Sequence, residues 1–112
     1  MVTGFSGRGF KVDGVVFAGG VTLTPLAAVA WDAPTATALE PGHLDALFAL
    51  SPVPEFLLLG TGAALARPPR AFVAALEARG IGVEAMDSRA AARAWAVLRT
   101  EDRWIVAALM PL

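Results

Sequence analysis

The chain has 112 residues, no cysteine and a formal net charge of −1, with 56% hydrophobic and 17% charged residues. So apolar a chain buries a core without staples, which excludes disorder, and the net charge of −1 argues against a general nucleic-acid binder. Disulfide and thiolate chemistry are absent, and no apolar run approaches the roughly 20 residues of a membrane span. One domain over residues 1–112, working in the cytoplasm, is the natural expectation. Met1 to Phe10 lacks the basic-then-apolar pattern of a signal peptide.

The first third reads as short strands and turns punctuated by glycines. Phe10–Val12 and Val15–Phe17 flank Asp13-Gly14, a dipeptide favoured in tight hairpins, so an N-terminal β-hairpin region is expected. Val21 to Leu26 alternates as a strand, and Ala27 to Trp31 extends it. Asp32 to Thr37, with Pro34, is loop. A helix is predicted from Pro41 to Leu50, because proline suits the first helical position and Leu44, Leu47 and Phe48 form one apolar stripe. Ser51-Pro52-Val53-Pro54 ends it.

Phe56 to Leu59 is the clearest strand, apolar on both faces as a covered parallel strand would be. Gly60-Thr61-Gly62 closes it. A helix then runs from Pro68-Pro69 to Arg79, with Phe72, Ala75 and Leu76 inward and Gly80-Ile81 as a Schellman ending. Val83–Met86 is the next strand, parallel to the previous one. Asp87 or Ser88 caps a helix from Arg89 to Arg99, whose apolar face is Ala91, Ala94, Trp95 and Leu98. The last strand, Trp104 to Met110, is apolar on both faces.

Ligands of open α/β sheets bind beyond the carboxyl ends of the strands, and glycine turns can present N–H groups to an anion. Gly60, Thr61 and Gly62 occupy such a place, but no full G-x-G-x-x-G follows, and two prolines remove donors near the helix start. The plain-turn reading therefore takes precedence. Asp87, Ser88, Arg89 and Arg93 would form the second wall of a crevice there. Seven of the nine basic residues, all arginines, lie beyond residue 59, so Arg67 and Arg103 join the candidate binding set. His43 is the single histidine, which leaves a metal site and a Ser–His–Asp site unsupported. No catalytic residue and no cofactor are assigned.

Three stretches in order carry a family resemblance: Gly9-Phe10 to Trp31; Leu57 to Gly62 with Arg67-Pro68-Pro69; and Gly80-Ile81 through Met86-Asp87-Ser88 to Leu109. Together they resemble the Mth-type domain family, whose members include a mitochondrial complex I assembly factor and an adipogenesis-associated protein. Met86-Asp87-Ser88, Ala90-Ala91, Arg93, Glu101 and Arg103 follow the family's order of motifs. The chain departs at Ala94-Trp95-Ala96, where the family has Thr-Tyr-Asn, and Ala96 cannot supply an asparagine amide. The resemblance implies a three-layer α/β fold with a mixed central sheet, its last strand antiparallel to its neighbours. It implies no enzymatic activity and no cofactor. The expectation is a non-catalytic binding or assembly module with a protein partner and no nucleic acid. The alternative is an enzyme or sensor for a small anion in the crevice between Gly60–Gly62 and Asp87–Arg93.

Overall fold

The computed structural model describes residues 2–112. The chain opens with a three-stranded antiparallel meander, β1 (Val2–Ser6), β2 (Gly9–Val12) and β3 (Val15–Phe17). Asp13 and Gly14 turn β2 into β3 with φ of 48° and 85°, the geometry of the predicted hairpin. β1 was not legible as a separate strand. Its pairing with β2 shifts register between Val2 and Gly4, so no clean alternation marks it.

The second sheet holds β4 (Gly20–Leu23), β5 (Ala28–Trp31), β6 (Phe56–Gly60), β7 (Gly82–Met86) and β8 (Val106–Leu109), in the order β5-β4-β8-β6-β7. The expected strand from Val21 to Leu26 stops at Leu23. Thr24 is the reason: its hydroxyl oxygen accepts from the N–H groups of Leu26 and Ala27 at 3.1 and 3.0 Å, and the chain reverses into β5. β6 is parallel to β7, as predicted. β8 corrects one implication of the resemblance: it is antiparallel to β4 only, and parallel to β6.

The central sheet separates two apolar cores, and its strands alternate between them. Leu57 and Leu59 face one core, with Val106, Ala108 and Met110. Leu58 faces the other, with Ile105, Ala107 and Leu109. A strand buried on both faces has no polar positions to offer, which is why β6 and β8 read as continuous apolar runs. The first core is covered by α1 (Asp45–Phe48) and α2 (Arg70–Glu77). The second is covered by α3 (Ser88–Thr100) and the meander, through Phe10, Val12, Ala91, Ala92 and Trp95. These are the three layers.

Three boundaries show local chemistry. The predicted helix from Pro41 is instead a 3-10 turn, Pro41–Leu44, followed by the short α1. Leu44 sits at φ −133°, which breaks the helix while Leu44 and Leu47 both stay buried. The Glu40 N–H donates to Nδ1 of His43 at 2.9 Å, so the single histidine fastens the entry to this turn. α2 ends as predicted, with Ile81 N–H donating to the Leu76 carbonyl at 3.0 Å and Gly80 at φ +79°. That left-handed position favours glycine. For α3 the open choice of cap is resolved: the Asp87 carboxylate accepts from Ala90 N–H at 2.9 Å. Asp87→Ala is expected to lower stability by about 1 kcal/mol, the usual worth of an N-cap. The shift of the urea midpoint at constant slope would measure it.

Candidate functional site

The carboxyl ends of β6, β7 and β8 meet at one edge of the central sheet. Thr61 N–H donates to the Met86 carbonyl at 2.9 Å, and Ser88 N–H donates to the Gly62 carbonyl at 2.8 Å. Gly62 N–H donates to the Ser88 hydroxyl, and that hydroxyl donates to the Met110 carbonyl, each at 2.8 Å. Met110 N–H closes the ring on the Gly60 carbonyl at 2.9 Å. Ser88 is fully buried. A Cβ on Gly60 would lie 2.7 Å from the Ser88 hydroxyl oxygen and 2.8 Å from its Cα, so only glycine admits this approach.

The expected crevice is therefore filled where the two walls meet. Ser88 occupies it, and the Gly62 N–H that would have met an anion is already bonded. Gly60, Thr61, Gly62, Asp87 and Ser88 are brought together, as structural partners of one another. Thr61 turns its hydroxyl into its own loop, donating to Ala64 carbonyl and accepting from Ala66 N–H.

The candidate arginines do not converge. Arg89 lies with its guanidinium carbon 5.5 Å from the centre of the Phe5 ring, which directs it onto the meander. Arg93 lines a shallow hollow with Val2, Thr3, Gly4 and Phe5 on the same side. Arg103 sits at the amino ends of the parallel strands, roughly 13 Å of strand away from Gly60. There it pairs with Glu55 at 3.0 Å and stacks 5.6 Å over Phe56. The hydrogen bond to Glu55, with that carboxylate's charge, raises the Arg103 pKa above its ordinary value.

Arg67 belongs to a different place. With Leu65 it forms the mouth of a groove of about 550 Å³ between α2 and β7. Arg70, Val73, Ala74 and Glu77 line it from the helix, and Val83 and Ala85 from the strand. Leu65 is 57% exposed. β7 is the last strand of the sheet on this side. Apart from Arg67, these residues escaped the sequence reading. One signal was present: Glu84 is the lone charge within a strand whose parallel neighbour, β6, is wholly apolar, and charge inside a strand marks an edge. No helix among the described residues is long and apolar enough to cross a membrane.

A profile of the family described as "Protein of unknown function (DUF498/DUF598)" matches residues 2–110. The chain belongs to this family. Among DUF498/DUF598-like relatives, an uncharacterized protein of Rhodobacter capsulatus is 35% identical over 99% of this chain and 84% of its own length. NADH dehydrogenase [ubiquinone] 1 alpha subcomplex assembly factor 3 of Danio rerio is 32% identical over 99% of this chain. The chain spans 64% of that protein's length. A solution structure from Bordetella pertussis, described as a Mth938-like domain, superposes with a TM-score of 0.84 at 28% identity. That match covers 99% of this chain and 85% of the other, and the mixed three-layer fold is the one expected from the resemblance.

The Ser88 ring makes a direct prediction. Ser88→Ala leaves the buried Gly62 N–H and Met110 carbonyl without a partner, and is expected to cost about 1–3 kcal/mol. Amide exchange at Gly62 should accelerate in the variant while the meander amides hold their rates. Unchanged exchange at Gly62 would refute the bridging role.

Proposed function

We propose that this chain is a non-catalytic binding module that holds a protein partner in the groove between α2 and β7. The observation that carries the reading is the composition of that groove. An exposed leucine, Val73 and Ala74 of the helix and an edge strand share one concavity, with Arg67, Arg70 and Glu77 supplying its charges. Apolar floor with a charged rim is the make-up of a protein interface rather than of bare surface. Kinship with a protein named as an assembly factor supports the same reading. The module works in the cytoplasm, in keeping with a chain that has no cysteine to oxidise.

The test is affinity purification of the tagged chain from its own host, compared with Leu65→Asp. Leu65 already faces solvent, so the variant should keep its melting temperature. A protein recovered in stoichiometric amount with the parent should fall about tenfold or more with the variant, the effect of losing one good apolar contact. Recovery that is indifferent to Leu65→Asp, or turnover of a metabolite with no protein recovered, overturns the reading.

A further inference from the structure

β7 has a free side that the fold does not use. Gly82 N–H donates to the Glu55 carbonyl at 3.2 Å, and the Met86 carbonyl accepts from Thr61 N–H at 2.9 Å. Backbone groups alternate in direction along a parallel strand. Gly82, Glu84 and Met86 therefore turn their backbone groups towards β6, and Val83 and Ala85 turn theirs outward. These two N–H and two carbonyl groups have no hydrogen-bond partner among the described residues. The side chains of the same two residues line the groove. An incoming extended segment meets open backbone and apolar lining together.

The groove also has electrical polarity. α2 starts after the loop that leaves the carboxyl end of β6 and returns to the start of β7, with Ile81 bonded back to Leu76. Helix and strand therefore run in opposite directions. Arg67 and Arg70 flank the Ala85 end, and Glu77 lies towards the Val83 end. Glu84 projects from the other face of the strand and is exposed.

This polarity argues against a second copy as the occupant. A two-fold pairing of β7 with itself that uses all four open groups sets Val83 against Ala85. It then places Glu84 of one copy directly opposite Glu84 of the other. Like charges directly opposite in a ladder destabilise it. The same glutamate is an attractive partner for a lysine or arginine on a foreign strand.

We propose that β7 is a docking strand. An extended segment of a different protein adds beside it as a sixth strand of the central sheet. Alternate apolar residues of that segment enter the groove, an acidic residue sits at the Arg67–Arg70 end, and a basic residue lies opposite Glu84. Main-chain bonds supply affinity, and the groove and charges supply selectivity, as in other cases of strand addition. The inference rests on the protein-binding reading above and names its mode.

The probe is a displayed library of random twelve-residue peptides selected on the immobilised chain, and Ala85→Pro is kept for the binding comparison. The Ala85 N–H serves no bond within the fold, and proline is tolerated on an edge strand, so this variant should fold while denying the incoming strand a donor. Selected peptides should show apolar alternation with a basic residue at an intervening position. They should slow amide exchange at Val83 and Ala85, and bind Ala85→Pro about tenfold or more weakly. Selection on Glu84→Lys, which keeps every backbone donor, should exchange the basic residue for an acidic one and decides the matter even if the proline variant melts early. No enrichment over background, equal binding to Ala85→Pro, or unprotected amides at Val83 and Ala85 overturns strand addition. If the cellular partner is lost with Leu65→Asp yet retained by Ala85→Pro, the groove stands and only the strand mode falls.

Discussion

One hydroxyl holds three ends of this molecule. The Ser88 side chain accepts from Gly62 N–H and donates to the Met110 carbonyl, with both bonds buried. It thereby ties the exit of β6, the entry of α3 and the exit of β8. These segments lie far apart in sequence, and no other described side chain bonds to both loop ends. A neutral bond contributes only about 1 kcal/mol net, but a buried group left unpaired costs more than a made bond gains. The lattice is therefore all or nothing. The glycine at position 60 is part of the same constraint, since Ser88 stands where a Cβ would be.

In a sheet whose strand ends are open, the carboxyl edge is the place for a ligand. Here Ser88 fills the space between the exits of β6 and β8, and the Gly62 N–H is already bonded to it. A hollow of about 490 Å³ lined by Arg8, Thr61, Ala66 and Met110 lies beside that edge, and the groove against β7 lies one element further out. Its lining comes from the return path of the α2 crossover, so it is a by-product of the βαβ unit. The short helix leaves the outer side of Val83 and Ala85 uncovered.

Much of the fold was legible because burial on both faces writes a strong pattern. Leu57-Leu58-Leu59 and Ile105 to Met110 have no polar position, and only a doubly covered strand tolerates that. The ending of α2 was legible from Gly80 and Ile81, where backbone conformation selects the residue. The direction of β8 was not, since an apolar run is the same in either sense and pairing depends on segments distant in sequence, as in Val21 with Leu109 and Leu57 with Val106. The stop at Thr24 was missed because a threonine in alternation reads as strand until its hydroxyl is seen to take two amide donors. The candidate arginines were gathered by sequence proximity and charge. The fold scatters them, because strand and helix carry Arg103 to the amino edge and turn Arg89 onto Phe5.

The remaining question is why an apolar sheet should keep an open edge. Natural proteins shield edges with charge, proline, bulges or cover, since a bare edge recruits other chains. β7 has one such device, Glu84, and it blocks chiefly the registration in which two copies face each other. On the groove side the charges, Arg67, Arg70 and Glu77, come from α2 and the loop before it and not from the strand. Val83 and Ala85 keep their outward backbone on the groove that Leu65 also lines. A lysine at position 83 or 85 would shield the edge, but Val83 and Ala85 also pack on the first core. Their small apolar side chains leave the edge reachable. Reachability by a foreign strand, with self-pairing disfavoured, is the physical content of a docking surface.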